Sequence, residues 1–590
     1  MDKRILVAIV LSIGVLVGFQ YVQSLMGGSR ESGRQEGRAL QKESGKPADV
    51  ARPADAVARP VGGGASPRGT MVKVETPLYT AVLASEGGGR IVRWDLKRYH
   101  ARRSNGGIGL VAERDELPLT LRIPAVEGAA LPFSVDREEL VLKEGSASQV
   151  LRFRHSTSAG RIERSLTFHP ETYEIDVETT VLGYPSYAVS LGSNTAVIDD
   201  LDSGNWNVYV GPAARVGRDV RRESLTKGSG SEQLSGEAEW AAITDKYFVM
   251  AAVPAKPRGG VRFEFEGPRQ TTLQLAEGAQ KPADLKAGDP LTAVVDASGR
   301  VVRVERQRGG AVLSGNDGEW IVVGKVAAVS GAQGTLQLDT RPVARVLIPG
   351  AAGSAPDKLR VYLGPKERDR LARMNAHVED LVDFGWFTVL ALPMFWVMKW
   401  IHGVFGNYGV AIILLTALLK LIFFYPTHLS YKSMKRMQEL QPKVLALREK
   451  YKNDQTRMNQ EMMEIYRKHK VNPMGGCLPM VIQVPFFVAL YNIFSLAIEL
   501  KQAPFAGWIH DLSDPDPYYV LPILMGVSML ASQKLTPTTV DPTQAKVMLL
   551  LPVVFTFMFL SFPSGLVLYW TVNNILTIGQ QLYINRSPAK

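Results

Sequence analysis

Apolar residues fill nearly every position from 5 to 22, directly after Lys3 and Arg4. Eighteen residues at about 1.5 Å rise just cross the hydrocarbon layer of a bilayer. No Ala-x-Ala cleavage site follows Tyr21, where the chain reads QSLMGGSR. The run therefore predicts an uncleaved signal anchor over residues 1–26, its start inside because Lys3 and Arg4 precede it. Residues 27–70 lose every apolar period and collect Gly, Ser, Ala, Pro and charge, the composition of a flexible tether.

From residue 71 to about 365 the period becomes two. It is plain in LRFRH (151–155), YEIDVET (173–179), VRFEFEG (261–267) and VVRVERQ (301–307), with turn signals such as Gly87-Gly88-Gly89 and Asn316-Asp317-Gly318 between runs. Many short alternating strands without long helical patterns predict a β-sandwich. An anchor running from inside to outside puts this domain on the outer face. His100, His155 and His169 are scattered and read as surface or packing residues.

Helical spacing takes over at 366–384, where Leu371, Met374, Val378, Leu381 and Val382 share one stripe. Together with the aromatic-rich stretch that follows, which carries Trp396 and Trp400, residues 366–405 predict an amphipathic interfacial helix on the outer surface. Five apolar segments complete the chain: 408–425, 478–498, 518–532, 547–562 and 566–584. The last two meet at Pro563-Ser564-Gly565, a turn that predicts a hairpin. With the anchor this makes a six-span helical bundle, its five-helix core over 406–585, beneath a β domain, with both termini inside.

Charge supports that topology. Residues 431–470 carry Lys432, Lys435, Arg436, Lys443, Arg448, Lys450, Lys452, Arg457, Arg467, Lys468 and Lys470, against Glu439, Glu449, Asp454, Glu461 and Glu464. The next loop, 501–517, has Lys501 against Asp511, Asp514 and Asp516. Basic loops thus alternate with an acidic one, as the positive-inside rule requires. The 430–470 segment is itself helical in pattern, with methionines at helical spacing and a break at 452–454, and reads as a cytoplasmic helical hairpin. It is either a solvated pair held by its own seam or a docking arm for lipid headgroups or ribosomal RNA, through Lys435, Arg436, Lys443, Arg448 and Lys450.

The mean hydropathy of −0.01 averages these two unlike halves, and the net charge of +11 follows from the basic loops. No zinc-finger spacing or RNA-recognition signature points to nucleic acid, and DNA is not expected as a partner. The single cysteine, Cys477, excludes an intramolecular disulfide and clustered-cysteine metal sites, and reads as a packed small residue. No triad, metal spacing or nucleotide motif is present, so neither a cofactor nor ATP hydrolysis is expected.

One residue stands apart. Lys420 lies in AIILLTALLKLIFF (411–424), where a centrally placed lysine costs about 2.5–3.5 kcal/mol. Either it snorkels to the inner interface or it faces a wet cavity. Thr416, Gln483, Asn492, Ser528, Gln533, Asn573 and Asn574 add polar groups to the spans. They line such a cavity or serve as interhelical hydrogen bonds.

The stretch VNPMGGCLPMVIQVPFFVALYNIF (471–494) resembles the third-span signature of the YidC/Oxa/Alb membrane protein insertases. QAPFAGWIHDLSDPDPYYVLPILMG (502–526), LTPTTVDP (535–542), FPSGLVLYW (562–570) and MQELQPKVLALREKYKND (437–454) agree with it in order. WAAITDKYFVMAAVP (240–254) and LRVYLGP (359–365) extend the likeness more loosely into the outer domain, while 267–345 fits poorly and reads as an insertion. The resemblance implies the Gram-negative type, whose periplasmic domain is a β-supersandwich like that of galactose mutarotases. It also implies a hydrophilic groove, open to cytoplasm and lipid, through which nascent inner-membrane proteins enter. By match to the motifs, Thr416, Lys420, Gln483, Phe487, Met525, Gln533, Trp570 and Asn573 fall at the groove. Lys420 occupies a position where the family usually carries Arg, which keeps the charge but loses the planar donor fork. The implied partners are nascent membrane proteins, the Sec translocon with its accessory subunits, the ribosome through the cytoplasmic loops, and the phospholipid bilayer. A transporter or channel with a polar path is the competing reading, and an outer-face sugar receptor on a passive anchor is a third.

Overall fold

A computed structural model describes residues 69–100, 107–111, 116–124, 131–193, 208–225, 228–281, 284–296, 298, 300–306, 320–330, 335–340, 342–451, 454–469, 478–535 and 542–586. The predicted anchor and tether, and Cys477, lie outside the described residues.

The alternating runs form strands whose burial alternates with them. Glu174–Leu182 buries Ile175, Val177, Thr179 and Val181, and turns the residues between toward partly open surface. It pairs antiparallel with Arg161–Phe168 and with Gly353–Pro365 in a ten-stranded sheet. Phe248–Pro254 in the same sheet is buried at every position, so both of its faces are covered. Two five-stranded sheets complete this part: one orders Gly107–Gly109, Arg90–His100, Tyr79–Ala84, Met71–Glu75 and Glu139–Val141, and the other includes Arg262–Glu266 beside Val343–Gly350. Between those last two neighbouring strands the chain departs to build a closed barrel of five strands within 270–340, with a separate core around Leu291, Val301 and Leu338. That barrel occupies the stretch read as an insertion. His155 is buried with Nδ1 2.7 Å from the Pro132 carbonyl, and His169 Nε2 lies 2.9 Å from Asp176, so these histidines pack as expected.

The stretch 366–384 departs from its predicted form. It is not one amphipathic helix but a single turn, α1 (Arg368–Ala372), and a 3-10 turn at Val378–Leu381. Asn375 and His377 take left-handed backbone angles (φ 52° and 56°), which break the run. Leu371, Met374, Val378, Leu381, Val382 and Phe384 are still buried, because the folded-back segment is enclosed between β domain and helices. Arg360 donates to the Met374 carbonyl at 2.6 Å, and Asn492 Nδ2 donates to the Phe384 carbonyl at 2.5 Å. One apolar core therefore runs from the sheets through this segment into the bundle.

The helical region comprises α2 (Thr388–Phe405), α3 (Tyr408–Ile422), α4 (Phe424–Glu439), α5 (Gln441–Lys450), α6 (Gln455–Lys468), α7 (Leu478–Leu496), α8 (Val520–Leu535), α9 (Pro542–Phe559) and α10 (Ser564–Arg586). Among the described residues, by length and composition, α2 is the one single helix that could cross a membrane, and α3 with α4 passes as a pair bent by 62°. Pro426, in the first turn of α4, cannot donate to the carbonyl four residues back, which breaks the α3–α4 path. Helix α2 packs its Ala391, Met394, Phe395, Met398 and Ile401 side on α3 and α7 and exposes Trp396, Trp400 and Val404. α5 and α6 pack as the expected basic hairpin.

The last two helices are joined by a four-residue turn, and their closest backbone neighbours are other helices. Helix α10 packs along α8 and α3, and α9 packs along α8. Their turn is pinned elsewhere: Ser564 N and Oγ both donate to the Asp514 carbonyl at 2.7 Å, and Gly565 N donates to Leu512 at 2.9 Å. Where α8 meets α9, a Cβ on Gly526 would collide with the Thr556 hydroxyl, so the close approach requires glycine.

The 501–517 loop gathers at the β-domain end. Asn407 Nδ2 reaches the Phe505 carbonyl at 2.9 Å, His100 N donates to Gln502 Oε1 at 3.2 Å, and the Lys501 ammonium sits 4.3 Å from the Tyr247 ring centre. At the same seam Lys399 bridges Asp369 and lies 4.0 Å from Glu499. Burial pushes the Glu499 carboxyl up to about 7, from an ordinary 4.5. The folded state thus holds a proton that the unfolded state has released between those values, and stability falls as pH rises through them. Thermal melts of the full chain from pH 5 to 8 are expected to show this fall, and Glu499→Gln to flatten it; parallel slopes would disprove it.

Candidate functional site

Lys420 does not reach outward. Its ammonium turns into the bundle and donates to Thr577 Oγ1 at 2.7 Å, joining α3 to α10. Thr577 in turn donates to the Asn573 carbonyl at 2.6 Å. Among the described residues no carboxylate stands within ion-pair distance of Lys420, so its charge is met by a hydroxyl dipole alone. A turn further on, the Phe424 carbonyl accepts from Gln580 Nε2 at 3.2 Å, which satisfies a backbone group at the α3–α4 break.

About 10 Å along α10 from Thr577, given the helical rise, an aromatic layer closes the interior. Trp570 meets Phe487 edge-on at 4.8 Å and Phe559 at 5.2 Å, and stacks on Phe555 at 6.4 Å. Phe562 continues the layer, 4.8 Å from Phe559 and 6.1 Å from Tyr491. Aromatic side chains thus bridge α7, α9 and α10 where the backbones of α9 and α10 diverge. Gln483 engages the Tyr569 hydroxyl beside this layer.

The remaining polar residues divide. Thr416 is buried and donates to the Ile412 carbonyl at 2.6 Å within its own helix. Asn574 Nδ2 meets Ser528 Oγ at 3.1 Å, which ties α10 to α8. Asn492 holds the 366–384 segment. Of these three, the Asn574–Ser528 bond is interhelical, while Thr416 bonds within its own helix and Asn492 bonds to a carbonyl outside the helices. Met525 is wholly buried and packs as core, while Gln533 lies half-buried near the end of α8. Lys435, Arg436, Lys443 and Lys450 stand on α4 and α5, at the end of the bundle away from the β domain; the Arg448 side chain lies outside the described residues.

Sequence reasoning missed Thr577, Tyr569, Phe555 and Phe559. For Thr577 a signal existed: Trp570, Asn573, Thr577 and Gln580 recur at three and four, one polar stripe on α10.

Two family models match. That described as the 60Kd inner membrane protein covers residues 400–590, and that described as the YidC periplasmic domain covers 71–295 and 324–397. The insertase of Syntrophus aciditrophicus is 36% identical, with 99% of this chain and 100% of that one aligned. The Geotalea daltonii insertase is 35% identical over the full length of both. The chain belongs to the YidC family of membrane protein insertases. The expectation that 267–345 is an insertion is corrected: the periplasmic-domain family model covers the barrel strands Gln270–Gln280, Pro290–Val295 and Thr335–Thr340, and leaves only 296–323 of that stretch unmatched. Among solved structures, an active YidC insertase crystal structure with its first transmembrane domain resolved aligns at 16% identity and a TM-score of 0.34, over 88% of this chain and 94% of that one. That likeness is too loose to carry an argument.

YidC insertases are not catalysts of a covalent reaction, and the aromatic layer here is a packing device. Trp570→Ala is expected to lower stability by about 3 kcal/mol through lost burial and a residual cavity, and Trp570→Tyr by less. Melting of the purified chain in detergent checks both; equal melting of all three would show that the layer carries no stability.

Proposed function

We propose that this chain inserts nascent inner-membrane proteins by receiving their polar tails at the Lys420–Thr577 pair. The observation that carries the reading is the inward-turned lysine, met by one hydroxyl and lying beneath the aromatic layer. A polar tail entering there exchanges water for side-chain partners instead of hydrocarbon, which lowers the barrier to crossing. The positive charge favours acidic tails, and the aromatic layer seals the outer end.

Lys420, Gln483, Phe487, Gln533, Trp570 and Asn573 form the proposed groove, with Thr577 added, and the buried Thr416 and Met525 back its wall. The topology belongs to the same proposal: six spans counting residues 5–22, both termini cytoplasmic, and the β domain, read as a supersandwich, in the periplasm. It is supported by the β domain and the acidic 501–517 loop meeting at one end of the bundle, while basic α4–α6 leave from the other. Helix α2 then lies at the outer interface, its exposed tryptophans at headgroup level. The basic hairpin is the surface for ribosomes and anionic lipid, and the chain works alone or beside the Sec translocon. A transporter or channel is disfavoured by the family.

The test is complementation in cells depleted of their own insertase, read by membrane insertion of a client with a short acidic translocated tail. Lys420→Arg is expected to support insertion, and Lys420→Leu to lower it severalfold. Full insertion with Leu would mean that the charge has no role. A stalled nascent chain is expected to crosslink to a probe at position 577 and not to one at exposed Tyr583.

A further inference from the structure

At the seam between β domain and bundle lies a cavity of about 290 Å³ that the insertion reading does not use. Its wall carries three cationic side chains, Arg222, Lys246 and Lys366, against one carboxylate, Asp383. The cations are held in place. The Arg222 guanidinium lies 5.8 Å from the Tyr209 ring centre and donates to Asp383 at 3.1 Å, and Lys246 Nζ sits 4.8 Å from the Tyr247 ring centre. Lys366 Nζ spends one hydrogen on the Asp245 carbonyl at 3.1 Å. An ammonium has three.

Two lining residues set the depth. Gly385 and Leu496 line the cavity, at the start of α2 and the end of α7. Trp386, beside Gly385, is 76% exposed. Tryptophans of this kind settle at the headgroup level of a bilayer. This wall of the cavity is therefore level with lipid phosphates, and the volume suits a small polar head, near the lower end of ligand pockets of about 300–1,000 Å³.

We propose that this cavity binds a phosphate group, presented by an anionic phospholipid headgroup of the outer leaflet. Its phosphate oxygens accept from Lys246 and Lys366, and the lipid pins the β domain to the bundle at the membrane surface. Burial holds the Lys366 ammonium down to about 8, which still leaves it largely protonated at neutral pH and able to donate to an anion. The inference rests on the topology proposed above.

The test uses the full chain in nonionic detergent, titrated with dioctanoyl phosphatidylglycerol, dioctanoyl phosphatidylcholine and inorganic phosphate, and read by melting temperature. Phosphatidylglycerol is expected to raise it saturably, with half-saturation moved at least about tenfold in the Lys246→Gln/Lys366→Gln variant, a loss of about 1.4 kcal/mol. Lys246→Arg, which keeps the charge, is expected to respond as the wild type does. An equal response of wild type and double variant would overturn the site. An equal effect of inorganic phosphate would overturn the lipid as its source, and an equal effect of phosphatidylcholine would overturn the preference for anionic lipid. Client insertion by the double variant is measured in parallel. Loss of the lipid response with insertion intact supports the site, while an unchanged response with insertion intact rejects it and leaves the insertase reading standing.

Discussion

A lysine ammonium buried among apolar helices needs a partner, and the hydrogen bond from Lys420 to Thr577 meets that need. It ties α3 to α10, the helix that also holds α8 through Asn574 and closes the outer end through Trp570. Other polar groups in the bundle find partners. Thr416 and Thr577 spend their hydroxyls on their own helices, and Gln580 covers the carbonyl exposed where α3 breaks. What remains is a charge whose partner among the described residues is a neutral hydroxyl, beneath an aromatic layer.

The β domain is built onto this bundle. The apolar residues of the 366–384 segment are buried in the shared core, and Asn492, Lys399 and Lys501 make contacts across the seam. A covered apolar seam of this kind opposes free swinging of one part against the other. It also buries Glu499 and Lys366, whose charged forms are both penalised there. The barrel is different in kind. Its core is separate, and it leaves the sheet between two strands that remain paired, so it adds mass without disturbing the register.

Much was legible in the sequence because it depends on local spacing. Period-two runs such as 173–179 became half-buried strands, and the charge difference between 431–470 and 501–517 matched the two ends of the bundle. Lys420 was singled out by its cost alone. The aromatics Phe555 and Phe559 were not legible, since an aromatic on an apolar helix looks the same whether it faces lipid or a partner. Nor was the break at Asn375 and His377, because the stripe of Leu371, Met374, Val378 and Leu381 has helical spacing even though the backbone does not stay helical.

By itself the sequence determined where strands and apolar helices lie, which loops are basic, and which span carries a charge. Those follow from period and composition, properties of neighbours along the chain. Only the tertiary structure decided that Lys420 turns inward to Thr577, that α10 packs along α8 and α3 and meets α9 through Trp570, and that Arg222, Lys246 and Lys366 converge on one cavity. Each depends on residues dozens to more than a hundred positions apart, and no local period encodes which distant partner will satisfy a buried polar group.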